Sequence, residues 1–172
     1  MDHFESERLI VQDWAHILAD TARRKTLERE LESMINPKIT HRLPANMEFP
    51  GNYASISSWV DDRQEEAQIL CVHDIQSKML AGLVIFWREP GPELPVTYRV
   101  GYFFAEQFWG RGYATETLKS LVSKLKAGPA FLLLAGVDRD NVASATVLTK
   151  TGFKEAKDQA TEGRLFFEFS ND

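Results

Sequence analysis

One stretch, Tyr98 to Leu125, constrains this chain more than any other. Val96 to Phe104 reads VTYRVGYFF, rich in β-branched and aromatic residues and free of proline, which predicts a strand. From Ala114 onward, Leu118, Leu121, Val122 and Leu125 recur at helical spacing, which predicts a helix beginning near Tyr113. Between the two stands Trp109-Gly110-Arg111-Gly112-Tyr113-Ala114. A strand that turns tightly through two glycines into a helix is a device suited to holding phosphate. Glycine lets the backbone approach a ligand, and the first helical N–H groups point outward, unpaired, at the positive end of the helix dipole. The same pattern also serves as a plain strand–helix turn. Two other phosphate patterns are excluded: no Gly-Lys-Ser/Thr closes the loop, and the third glycine of the dinucleotide fingerprint is replaced by Thr115.

With 172 residues, the chain is long enough for one domain with a substantial core and short for two, so residues 1–172 are read as a single domain. Its 20 basic and 25 acidic residues give a net charge of −5, which disfavours nucleic acid as a partner and suits cationic acceptors such as amines. The single cysteine, Cys71, excludes an intrachain disulfide and fits a reducing cytoplasm. No apolar stretch approaches the ~18 residues of a membrane helix, and the acidic N-terminus does not read as a signal peptide.

Taken in order, Arg8 to Asp13 predicts a first strand. Trp14 to Ile35 predicts an amphipathic helix interrupted around Ala19–Arg24, with mixed charges on a solvated face. Asn36-Pro37 ends that helix, and a loop follows to Asn52. Tyr53 to Gln64 predicts a further helix, capped by Asn52 or Ser55. Ala67–His73 and Lys78–Trp87 predict a hairpin turning at Asp74–Ser77, before a proline-rich connection at 88–95. Ala130 to Val137 (AFLLLAGV) is a nearly continuous apolar run that predicts an interior strand covered on both faces. Val142 to Thr151 predicts a short helix closed by Gly152, and Phe153–Ala156 and Arg164–Phe169 predict the last strands. On pattern alone the class is α/β or α+β.

Beyond the central motif, Glu7-Arg8-Leu9-Ile10, Gly101-Tyr102-Phe103-Phe104 and Asn141-x-x-Ser144 ahead of Gly152-Phe153 complete a set of matches in order. Together they resemble the GNAT superfamily of N-acetyltransferases, most closely its branch of ribosomal-protein N-terminal acetyltransferases (RimJ/RimL). The resemblance covers most of the chain, least over residues 14–66, and Trp109 stands where the superfamily usually has Gln or Arg. It implies a mixed, mostly antiparallel sheet of six or seven strands with helices on both faces, in the order β-α-α-β-β-β-α-β-α-β-β. It implies acetyl-CoA as co-substrate and transfer of acetyl to a primary amine by direct attack on the thioester. The amine belongs to a protein or peptide N-terminus or to a small molecule, and a second copy of the chain is kept as a candidate partner.

The resemblance assigns the pyrophosphate to backbone N–H groups at Arg111, Gly112, Tyr113, Ala114 and Thr115, with Arg111 adding charge. It assigns the pantetheine arm to the strand end at Phe103, Phe104 and Ala105 and to the side chain of Asn141, a residue that serves equally as a helix cap. One catalytic arrangement in this branch places a Glu on the strand before the Asn and a Tyr seven residues after it. Here those positions are Gly136 and Leu148, so that arrangement does not carry over. Ser144 remains as a donor to the leaving thiolate, with a helix-filling serine as the plainer alternative. For the base, Glu106 leads, with His41 and Glu162 behind it; each also suits a solvated surface, and a route through water needs none of them. No metal site is predicted. A rival class is a CoA-binding regulatory module with little turnover, which the missing Glu and Tyr favour. The loops at 36–52 and 88–95 are expected to choose the acceptor.

Overall fold

The computed structural model describes residues 3–40, 49, 54–91 and 94–171, and in it eight strands form one sheet in the order β1-β2-β3-β4-β5-β6-β8-β7. The strands are β1 (His3–Glu5), β2 (Leu9–Asp13), β3 (Gln68–Asp74), β4 (Leu80–Arg88), β5 (Val96–Phe104), β6 (Phe131–Asp138), β7 (Lys154–Glu155) and β8 (Arg164–Ser170). Neighbours are antiparallel except β5 and β6. The architecture is the expected mixed sheet with one further strand. That strand, β1, spans three residues, too few for an alternation to be visible in sequence.

The predicted helical stretch before the loop is divided into α1 (Ala15–Leu18) and α2 (Thr21–Met34). Asp20 makes the break: its Oδ1 accepts from the amides of Ala22 and Arg23, both at 2.9 Å, so a new helix starts there. Asn36-Pro37 not only ends α2 but opens a one-turn helix, α3 (Pro37–Thr40), where the sequence reading had a loop. Asn36 Oδ1 accepts from the Lys38 amide at 2.9 Å, and proline is tolerated at a first helical position because its missing N–H would be unpaired anyway. His41, Arg42 and Glu48 lie outside the described residues. Helix α4 (Ile56–Glu66) is capped by Ser55 in a reciprocal pairing with Ser58.

Helices flank both faces of the sheet. On β3, Asp74 reaches Tyr113 of α5 (Tyr113–Leu125), whereas its neighbour His73 lies in the field of Glu30 on α2. Successive strand side chains point to opposite faces, so α2 and α5 lie on opposite sides. Helix α5 turns Tyr113, Thr117, Leu118, Leu121 and Val122 into the core. Helix α6 (Val142–Lys150) ends near Gly152, whose φ of +91° is the left-handed conformation that stops a helix. Among the described residues no helix is long and apolar enough to cross a membrane.

The prediction for β6 is corrected. Phe131, Leu133, Ala135 and Val137 are buried, but Leu132 and Leu134 are half-buried and Gly136 is exposed, so only one face is fully covered. Apolar residues on both faces hide the period of two that would have revealed this.

Candidate functional site

The sheet is split where β5 and β6, the one parallel pair among the described strands, part. β5 and β6 are in register at four positions, Val96–Phe131, Thr97–Leu132, Tyr98–Leu133 and Arg99–Leu134. Beyond Arg99, β5 stays paired to β4 as far as Phe104, and beyond Leu134, β6 stays paired to β8 as far as Asp138. Two strand edges therefore face each other across a wedge with no pairing between them. The wedge opens toward the C-terminal ends of both strands, where β5 runs into the glycine turn and β6 into α6. The end of β4 at Arg88 and the start of β5 at Val96 lie at the opposite end of the parallel pair, away from the wedge.

The turn is built to expose its amides. The Ala105 amide donates to Ala81 at 2.9 Å, a 3-10 turn follows at Glu106–Phe108, and the indole N–H of Trp109 closes back on the Phe104 carbonyl at 2.6 Å. Gly110 and Gly112 then take φ of +71° and +79°, values that side chains rarely adopt. Gly112 is the N-cap of α5 and offers no side-chain acceptor. The N–H groups of Gly112, Tyr113, Ala114 and Thr115 have no acceptor among the described residues. A Cβ built on Gly110 or Gly101 would meet nothing within 4 Å, so the space beside the turn and above the wedge is open. Four outward amides, the positive end of a thirteen-residue helix and open space are what a phosphate ester requires.

Charged residues brace this turn from behind. Arg8, just ahead of β2, donates to the Arg111 carbonyl at 3.0 Å and to Glu116 Oε2 at 2.6 and 2.7 Å. Glu116 Oε1 accepts from the Ser6 hydroxyl at 2.7 Å and the Arg8 amide at 2.9 Å. Burial opposes the Glu116 charge, but these hydrogen bonds outweigh it and hold its pKa below the usual carboxylate value. The Arg111 guanidinium lies over the Phe108 and Tyr113 rings at 5.5 and 5.1 Å.

On the other side of the wedge, Asn141 is the N-cap of α6: its Oδ1 accepts from the Ser144 amide at 3.2 Å. Its amide nitrogen has no partner among the described residues, and neither has the Ser144 hydroxyl. Tyr102 reaches from β5 to α6, its hydroxyl donating to the Ser144 carbonyl at 3.3 Å, and burial pushes its pKa up to about 12. It therefore stays a hydrogen-bond donor throughout the neutral range. Leu148 is fully buried and Gly136 exposed, so neither position offers an acid or base to the wedge.

Glu106 is already engaged. Lys38 Nζ donates to one oxygen at 2.8 Å and Asn36 Nδ2 to the other at 2.9 Å. Lys38 first, and Asn36 with it, lowers the pKa, which makes this carboxylate a weak proton acceptor. A cavity of about 350 Å³ opens beside it, lined in part by Glu30, Ser33, Met34, Asn36 and Ala105. Glu162 is exposed on a turn that Arg139 ties to the end of β6 through the carbonyls of Thr161 and Gly163, at 2.9 and 3.2 Å. Phe103, Phe104 and Ala105 line the β5 side of the mouth, all buried. Sequence reasoning missed Tyr102, Asp74 and the pairing of Arg8 with Glu116. The short motifs containing Arg8 and Glu116 were visible, but nothing local says that residues 108 apart meet.

The family model described as an acetyltransferase (GNAT) domain matches residues 12–154. No curated protein matches the sequence significantly. Among solved structures, a GNAT-family acetyltransferase from Bacillus anthracis superposes with a TM-score of 0.71 at 16% identity, covering 98% of this chain and 96% of that one. RimL, the ribosomal L7/L12 alpha-N-protein acetyltransferase in complex with coenzyme A, gives 0.66 at 16% identity, covering 98% and 97%. An acetyltransferase from Salmonella typhimurium that modifies the N-terminal serine of L7/L12 gives 0.68 at 15% identity, covering 97% of each chain. At these identities the likeness is one of fold.

Proposed function

From the premise that the chain belongs to the GNAT acetyltransferase family, and so is an N-acetyltransferase drawing its acetyl group from acetyl-CoA, we propose that the acceptor is the free N-terminal amine of a peptide or protein. The observation that carries the site assignment is the unpaired wedge between β5 and β6, leading directly to four outward amides at the start of α5. The acceptor class is supported by the fold shared with RimL and with the Salmonella enzyme.

In this reading the amides of Gly112 to Thr115, with Arg111 beside them, hold the pyrophosphate. The β5 edge at Phe103–Ala105 pairs with the pantetheine amides. Asn141 serves with both ends of one side chain, its oxygen capping α6 and its nitrogen bonding the same arm. The amine nitrogen attacks the thioester carbonyl, the C–S bond breaks, and Ser144 donates a proton to the departing thiolate and recovers one from water. The proton shed by the amine leaves through water. Glu106, pinned by Lys38 and Asn36, is given the task of fastening the end of α2 and α3 over the mouth of the site.

A second reading, a CoA-binding module with little turnover, is favoured by the absence of an acid or base at Gly136 and Leu148. Free-thiol release from acetyl-CoA separates the two, measured with peptides bearing free N-termini, the same peptides blocked, and small amines. Release only with unblocked peptides is expected. Release only with small amines would replace the acceptor, and tight CoA binding without release from any amine would establish the second reading.

A further inference from the structure

We propose that Arg8 and Glu116 are a positioning pair that sets the orientation of the phosphate-binding turn for acetyl-CoA, an inference that rests on the function proposed above. A trans peptide is planar, with its C=O and N–H pointing in opposite directions. The carbonyl of Arg111 is drawn back toward the first strand by the Arg8 guanidinium, at 3.0 Å. The amide on the far side of that same peptide belongs to Gly112, and it must therefore point the other way, out toward the open space. The Arg8 contact decides which end of the 111–112 dipole faces a ligand.

That peptide is also free to turn over. Turning it over rotates ψ of Arg111 and φ of Gly112, and at Gly112, already at a φ of +79°, glycine imposes little steric barrier to rotation. Turned over, it would present a carbonyl oxygen to the phosphates and lose a donor at once. Glu116 keeps Arg8 in place: the carboxylate takes two guanidinium nitrogens on one oxygen, and the Ser6 hydroxyl and Arg8 amide on the other. Glu116 sits in the first turn of the helix whose N-terminus forms the cradle, so the brace and the cradle share one rigid element. The guanidinium also lies over the Tyr113 ring at 4.6 Å, and its Nη2 is 3.6 Å from where a Gly112 Cβ would stand. Lysine carries the charge but not the planar fork that reaches a carbonyl and a carboxylate together.

The test compares calorimetric affinity for acetyl-CoA, which carries the pyrophosphate, with that for S-acetylpantetheine, which lacks it. Arg8→Met is expected to weaken acetyl-CoA binding about tenfold while leaving S-acetylpantetheine binding unchanged, and Arg8→Lys to remain as weak as Arg8→Met. Glu116→Gln, a milder change, is expected to shift acetyl-CoA alone and in the same direction. Unchanged acetyl-CoA affinity in folded variants would overturn the proposal, and so would equal weakening for both donors or full recovery by lysine. Wild-type protein that binds acetyl-CoA with the expected dependence on Arg8 yet acetylates no amine would leave this pair standing and remove the functional reading instead.

Discussion

The hydroxyl of Tyr113, the first residue of α5, donates a 2.7 Å hydrogen bond to Asp74 at the end of β3, inside the protein. The other oxygen of Asp74 accepts from the amide and hydroxyl of Ser77, both at 2.7 Å. Tyr113 thus contributes a backbone amide to the turn and a side chain that bolts the turn to the sheet. The Tyr113 hydroxyl first, then Ser77, holds the Asp74 carboxyl down to about 2.

Because the folded pKa lies below the unfolded value of 3.8, ionised Asp74 stabilises the fold above pH 4, and that stabilisation disappears as pH falls toward 2. Asp74→Asn should therefore lower the thermal midpoint at neutral pH, with the gap to wild type closing between pH 4 and pH 2. Thermal melts at pH 7, 4 and 2.5 check this; a gap that stays constant across them would show that the ionised form is not what matters.

Gly112→Asp should abolish measurable acetyl-CoA binding while the fold persists. Its φ of +79° is one that Asp tolerates better than most residues, so the chain has no strong reason to unfold. A Cβ there stands 3.6 Å from the Arg8 Nη2, so the added carboxylate would draw Arg8 off the Arg111 carbonyl and place a like charge at the helix start that is to hold the pyrophosphate. Calorimetry returning wild-type affinity would remove the cradle from this turn.

Leu133→Ala should destabilise the protein by about 2–5 kcal/mol, the range for a buried leucine. Leu133 is fully buried, whereas Leu134 on the half-covered face of β6 should cost clearly less when truncated the same way. Denaturant midpoints for the two variants make the comparison, and equal losses would contradict the one-sided burial of this strand.

Ser144→Ala should lower kcat about tenfold to a hundredfold with little change in KM, because a donor to the thiolate acts only as charge develops on sulfur. Alanine favours the helix more than serine does, so α6 should survive the change. Wild-type kcat would make Ser144 a packing residue and leave the thiolate to water.

The local devices of this fold were legible in the chain. The bounds of β5, the start of α5 at Tyr113 and the helix stop at Gly152 follow from residue chemistry that acts within a few positions. The glycine pair marked the turn for the same reason. What escaped depends on distance: Tyr113 meets Asp74 across 39 residues and Arg8 meets Glu116 across 108, and neither partner looks unusual alone. The wedge was equally invisible, since Val100 to Phe104 continues the strand pattern of Val96 to Arg99 without a break. Only the register with β6 shows that pairing stops at Arg99. Gly82 tells the same story from the far side of β5: a Cβ there would run into the Phe103 carbonyl, a constraint no local pattern announces.

An exposed strand edge normally invites another protein's strand, and sheets go to some length to conceal theirs. The gap between β5 and β6 gives this molecule two such edges in its interior, turned toward each other and tapering to the bonded pair of Arg99 and Leu134. A foreign sheet is too broad to enter a slot of that form. A single thin, amide-bearing thread is not, and so the fold keeps its sticky margins hidden from its neighbours and open to one shape of guest.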